Sequence, residues 1–135
     1  MDHPFSKSVS LVEKCKRLQE VVSPEDTLAI LINADPDSMA AALALKQFFW
    51  RRIKKASIYH INTIKRADNL ALMKLLKLDQ KHIRHLKGSD ISKWAIIDSQ
   101  PHHDEQFGKF RFDIIIDHHP PGQCAGAPFI DIRED

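Results

Sequence analysis

Cysteine is scarce in this chain: its 135 residues hold two, Cys15 and Cys124, far apart and without Cys-x-x-Cys spacing. That excludes a disulfide framework and a thiolate zinc site, and suits two ordinary thiols in a reducing compartment. Net charge is scarce too, at +2 from 20 basic and 18 acidic residues. No broad field of either sign follows, and strong duplex DNA binding is not expected. No stretch reaches the ~20 apolar residues that a membrane-spanning helix needs. The opening MDHPFSKSVSLVEK lacks the unbroken apolar core of a secretory signal. No membrane partner and a cytoplasmic location are therefore expected. Internal repeats and low-complexity linkers are also missing. With 43% hydrophobic content, the chain is long enough for one compact domain spanning residues 1–135.

What is present is an alternation of helical and extended patterns. Apolar residues at Val9, Val12, Cys15, Leu18 and Val21 or Val22 suit an amphipathic helix from Ser6 to Val22, ended by Ser23-Pro24. Thr27 to Asn33 is a near-continuous apolar run, as in a strand buried on both faces of a parallel sheet. Asp35 as N-cap and Pro36 at the first helical position then start a helix running to about Ile53. Further along, the pattern predicts a strand over Ser57 to Asn62, a helix over Asn69 to Leu78 and a short strand over His82 to Leu86. Buried strands follow at Trp94 to Asp98 and Phe112 to Asp117. A Pro/Gly loop from Pro120 to Pro128 leads to a last edge strand ending at Ile132. The expected architecture is α/β: a doubly wound, mainly parallel sheet with helices on both faces.

Three of these apolar runs end in aspartate, at Asp35, Asp98 and Asp117. In open parallel sheets ligands bind at the carboxyl edge of the strands, near the point where strand order reverses. Carboxylates gathered there repel one another and need protons or cations to neutralise them. Asp35-Pro36-Asp37, Asp98 and Asp117-His118-His119 offer oxygen and imidazole ligands without thiolate, a set that favours Mn, Fe, Co, Mg or Zn. Two cations about 3.5–4 Å apart are the usual device for in-line hydrolysis at phosphorus. Each piece taken alone also has a plainer reading. Asp-Pro-Asp at a strand-helix junction is a common cap, Asp98 could begin a turn, and His102-His103 suit a solvated surface.

The order of NADPDSMAAALAL (33–45), IIDSQP (96–101) and IIIDHHP (114–120) resembles the first three motifs of the DHH phosphoesterases, across Leu28 to Pro120. That family includes single-strand exonucleases, oligoribonucleases, cyclic-dinucleotide phosphodiesterases, exopolyphosphatases and manganese pyrophosphatases. The resemblance implies a manganese-dependent hydrolase with two ions, Mg2+ or Co2+ being substitutes. Its substrate would be a nucleotide, an oligonucleotide or polyphosphate. Asp35 would bind one cation, Asp37 the other, and Asp98 would bridge both. His118 would complete part of the second cation's ligand shell, and His119 would face the scissile phosphate. Asp117 would hold the following imidazole through a hydrogen bond, and the nucleophile would be a water activated by the two cations.

Two departures qualify the resemblance. Asn33 stands where the family often has His or Asp, so the first cation would be held more loosely. A later aspartate ligand and the C-terminal substrate-gripping domain lie outside the chain. The expectation is thus a DHH-type metal-binding domain truncated before that second domain, with a small stand-alone protein as the alternative. The competing function is a catalytically decayed metal- or nucleotide-binding regulatory module. The basic run Arg51-Arg52-Ile53-Lys54-Lys55 falls at the far end of the long helix and suits a solvated terminus. No interleaving of aromatic and basic residues marks a base-stacking platform.

Overall fold

In the computed structural model of the protein, residues 10–119, 122 and 127–133 are described. The sheet is organised around β1 (Thr27–Ile32), where Leu28, Ala29, Ile30, Leu31 and Ile32 are all 0% exposed. A strand buried on both faces has no amphipathic alternation to show, which is why its sequence is a continuous aliphatic run. β1 pairs in parallel with β2 (Lys55–His60) on one side and β4 (Lys93–Ile97) on the other. β3 (Gln80–His82) extends the first side, and β5 (Ile114–Asp117) and β6 (Phe129–Ile132) the second. The result is a six-stranded, all-parallel sheet in the order β3-β2-β1-β4-β5-β6, with strand order reversing between β1 and β4. This is the expected α/β class with a parallel sheet.

The two faces are covered differently. Helices α1 (Leu11–Val21), α2 (Pro36–Phe49) and α3 (Ala67–Leu75) all contribute to one core, around Leu18, Met39, Ala42, Leu45 and Phe49. The opposite core, built on Ala29, Leu31, Ile96 and Ile115, is closed by 3-10 turns and aromatic side chains. Trp94 stacks on Phe110 at 4.6 Å, and Phe107 meets Phe112 edge-on. Helices on both faces were expected; among the described residues the second face has single 3-10 turns instead. The connections β3 to β4 and β4 to β5 carry Gly88-Ser89-Asp90 and Gln100-Pro101, and no helical apolar period. No helix is long and apolar enough to cross a membrane among these residues.

Several boundaries move for identifiable reasons. α1 starts at Leu11 because Ser10 caps it, its Oγ accepting from the Glu13 amide at 3.1 Å; the part of the expected helix before Ser10 lies outside the described residues. α2 stops at Phe49, short of Ile53, because Trp50 leaves helical geometry and Arg51 turns with φ +65. β2 ends at His60 rather than Asn62. There the Asn62 side chain takes over the pairing, donating to the Ala34 carbonyl at 3.0 Å and accepting from its amide at 2.8 Å. α3 covers Ala67 to Leu75, and Lys77 at φ +52 turns the chain beyond it. The strand expected over His82 to Leu86 is shifted to Gln80–His82, since His82 Nδ1 accepts from the Arg84 amide and starts a 3-10 turn. The Pro/Gly loop falls mostly outside the described residues, and Cys124 with it.

At the amino edge of the sheet Asp26 fastens three segments. Its Oδ2 accepts from the Ser23 amide at 2.7 Å, its Oδ1 from Ser92 Oγ at 2.8 Å, and its carbonyl from the amides of Lys54 and Lys55. Burial works against this ion, but the Ser23 amide, the Ser92 hydroxyl and the charge of Lys93 hold its carboxyl below the ordinary value. A depressed folded-state pKa means stability that is present above the ordinary carboxylate range and lost as pH falls through the folded value. Asp26→Asn is expected to cost about 1.5–3 kcal/mol at neutral pH, the scale of hydrogen bonds to a charged group. Urea unfolding should show that difference shrinking under acid conditions. A gap independent of pH would mean that the charge contributes nothing.

Candidate metal centre

The centre is built where β4 and β5 leave the sheet. The Asp98 amide donates to the Ile116 carbonyl at 2.8 Å, continuing the ladder one residue past β4. Asp98 then adopts φ +59. This left-handed geometry costs an ordinary L-residue about 1–2 kcal/mol, and Asp and Asn tolerate it best. The chain thus reverses at the very residue that carries the carboxylate. The Asp98 side chain is 12% exposed, and its Oδ1 lies 2.6 Å from His118 Nε2.

Asp117, the last residue of β5, has a fully covered side chain. Its Oδ1 lies 2.6 Å from His119 Nδ1, and its Oδ2 accepts from Gln100 Nε2 at 2.8 Å. Gln100 is itself 0% exposed. Its amide side chain also donates to the His119 carbonyl at 3.3 Å and accepts from the Gly122 amide at 2.8 Å. The Gln100 backbone N–H donates to His103 Nδ1 at 3.0 Å, and the His103 ring stands edge-on to His119 at 5.5 Å. The result is a small polar network under the two exposed imidazoles.

The two aspartates respond in opposite directions. For Asp117 burial opposes ionisation, yet the bonds from Gln100, His119 and the His118 amide outweigh it, so its carboxyl sits below the ordinary range. For Asp98 burial comes first, and the charges of Asp35 and Asp117 add to it; His118 offsets only part, so its carboxyl is raised. Burial, with His102 and His119 nearby, lowers His103. Because Asp117 is the anion and acceptor, Nδ1 of His119 carries the proton between them. Nε2 is then the ring atom available to a ligand.

Asp98, Asp117, His118 and His119 each offer a ligand atom, all within 4.8 Å of one another. Of the expected site residues, the structure therefore brings these together. Asp35 lies close enough to disfavour ionisation of Asp98, and it is also the α2 N-cap, its Oδ1 accepting from the Ser38 amide at 2.8 Å in a capping box. Its plainer role and its place beside the centre coexist. Asp37 is exposed in the first turn of α2 and outside the group of four, and Asn33 is exposed at the end of β1. Beside the centre a cavity of about 280 Å³ is lined by Asp98, Asp117 and His118 together with Asp131 and Arg133.

Sequence reasoning did not find Gln100, Asp131 or Arg133. Gln100 carried a weak signal, a polar residue directly after a buried strand and before proline. Asp131 belongs to the edge strand and Arg133 directly follows it, and only the pairing of β5 with β6 brings them alongside. His102 and His103 are exposed as expected, but His103 also takes part in the network beneath His119.

Comparison with known proteins finds a relative in Methanocaldococcus jannaschii, described as an uncharacterized protein. It is 30% identical over 135 residues, covering 96% of this chain and 28% of that protein. The chain thus spans little more than a quarter of its relative's length. No family model matches the chain. No solved structure matches it either.

The raised state of Asp98 gives a test that needs no substrate. A folded state that holds a proton more tightly than the unfolded chain gains stability as pH falls through the raised value, and is penalised above it. In chelator near neutral pH, Asp98→Asn is therefore expected to be at least as stable as the wild type, Asn being equally suited to the left-handed turn. Manganese should reverse the ranking by raising the wild-type Tm, since a ligand at 100 times its Kd adds about 2.7 kcal/mol. Equal manganese-dependent shifts in both proteins would remove Asp98 from the site.

Proposed function

We propose that the chain is the metal-binding part of a DHH-type phosphoesterase. Its reaction would be hydrolysis of phosphodiester or phosphoanhydride bonds in a nucleotide or short single-stranded nucleic-acid substrate, with divalent cations, manganese foremost. The observation that carries this reading is the convergence of Asp98, Asp117, His118 and His119 within 4.8 Å. It lies at the carboxyl ends of β4 and β5, next to the reversal of strand order, where open parallel sheets take their ligands.

The donor set fits hard and borderline divalent cations: carboxylate oxygen and imidazole nitrogen, with no thiolate. Asp98 and His118 would hold a cation, with Asp35 and Asp37 supplying further carboxylate at the start of α2. Bound divalent cations would acidify water and draw charge from the phosphate oxygens. The chain's own groups do the positioning. Asp117, kept ionised by Gln100, fixes the ring orientation of His119, so that Nε2, when it carries a proton as Nδ1 does, can donate to a phosphate oxygen. Arg133, on the wall of the adjoining cavity, adds a planar cation suited to the same oxygens. Gln100, buried and bonded on both ends of its amide, keeps this arrangement rigid.

One observation favours the second reading, a decayed binding module. Asn33 is neutral, and one oxygen of Asp35 is already engaged in capping α2, which leaves the Asp35 end of the centre poorer in ligands than the Asp98 end.

The histidines separate the two readings. In the whole protein, His119→Ala is expected to leave manganese affinity nearly intact and to lower turnover by ~10²–10³, as when one transition-state hydrogen-bond donor is removed. His118→Ala should weaken manganese instead. Both variants would be assayed against short RNA, cyclic dinucleotides and pyrophosphate, with calorimetry for the metal. Wild-type inactivity across that panel would favour the binding module. Equal losses of metal affinity in the two variants would refute the division of roles.

A further inference from the structure

A second cavity, of about 610 Å³, shares no residue with the metal centre. Its size is within the ~300–1,000 Å³ of small-molecule sites. Lys54 and Lys55 reach it from the junction of α2 and β2, Lys81 from β3, and Lys87 from the connection to β4; Tyr59 of β2 lies among them. Among the described residues, the one carboxylate on its lining is Asp90. Ion pairs among the described residues engage Lys14, Arg17, Arg66, Arg133, His118 and His119, and none of these four lysines. Like charges drawn around one hollow raise each other's energy, and an anion there relieves them.

The spacing says what kind of anion. Lys55 and Tyr59 stand four residues apart on the same face of β2, a distance of about 13 Å along a strand. Tyr59 is also in register with Lys81 on β3. Positive charge is thus spread along the hollow rather than focused on one point, which suits a row of phosphates better than a single one. The half-buried Tyr59 supplies an aromatic ring at one end, the kind of group on which bases stack. We infer that this cavity binds a linear chain of phosphates carrying a base, as in a single-stranded oligonucleotide or a nucleoside polyphosphate. The site does not depend on the reading of the metal centre.

The test is done in chelator, so that the metal centre takes no part. Fluorescence anisotropy follows a labelled six-nucleotide single strand, with ATP and tripolyphosphate as competitors. The strand is expected to bind at low salt. Lys55→Ala/Lys81→Ala should weaken it at least ~tenfold and lower the slope of log affinity on log salt by about 1.4, at about 0.7 per phosphate contact. Lys74→Ala/Lys109→Ala, an equal change in charge outside the cavity, should alter neither. Competition by ATP but not by tripolyphosphate assigns a nucleoside polyphosphate as sufficient; competition by neither assigns the strand. Absence of binding by the strand and by both competitors in direct titration, or equal weakening by the two double variants, would overturn the inference. All four substituted lysines are exposed, so their truncation leaves the core intact, and matching Tm values check this.

Discussion

Parallel pairing decides where the charge of this protein collects. β1 is paired with β4 and β4 with β5, all running the same way, with Leu31 opposite Ile96 and Ile97 opposite Ile116. The chain therefore leaves each strand at the same edge and at nearby levels, and a carboxylate follows each exit at Asp35, Asp98 and Asp117. Reversing one strand would send its aspartate to the opposite edge. A register slip of one residue would turn the buried Asp117 side chain to the other face of the sheet. Ion-ion repulsion is thus built into the topology, and much of the local detail answers it. Ser38 binds Asp35, His118 meets Asp98, and Gln100 with His119 encloses Asp117.

The opposite behaviour of Asp98 and Asp117 follows from those partners rather than from burial, since both are covered. Asp117 receives bonds on both oxygens and remains an anion in the interior. Asp98 has His118 on one oxygen and two neighbouring carboxylates, and its charge is the less well compensated. Acids whose surroundings push their pKa values in opposite directions recur at functional sites. Gln100 is what makes the difference. A buried amide satisfied at both ends can stabilise an anion without a counter-charge, whereas Asp98 is met by His118 at the surface, where a cation could take that place.

The strongest features were legible in the sequence because they are local. Continuous aliphatic runs locate β1, β4 and β5, and Asp35-Pro36 locates the start of α2, since burial and capping each leave a mark on adjacent residues. The ends of elements were less legible where a side chain substitutes for backbone, as Asn62 does beyond β2 and His82 does before the turn that follows β3. Cover for the second face could not be read as 3-10 turns, because single turns have no period to detect. The function of Gln100 was hidden for a related reason: its partners are 17 and 22 residues away at Asp117 and Gly122. The lysine cavity is drawn from three separate segments, so no run or spacing reveals it. The run Arg51 to Lys55, which suits a solvated terminus, is in fact divided. Arg51 and Arg52 cover Trp50 and Phe48 at 4.4 and 4.7 Å, while Lys54 and Lys55 face the hollow.

A net charge of +2 describes neither region of this molecule. The sum is small because acids and bases nearly cancel, but folding separates them. Carboxylates gather at the carboxyl ends of β1, β4 and β5, while lysines gather over β2 and β3 on the face that carries no α-helix among the described residues. The missing helix is part of the cause, for a helix laid across β2 and β3 would occupy the hollow and bury its lysines' stems. Local fields of opposite sign therefore persist in a nearly neutral protein, and attraction of anions depends on the local field rather than on the total. An acidic edge and a basic face are compatible on a single parallel sheet, because its edge and its faces are built from different residues of the same strands.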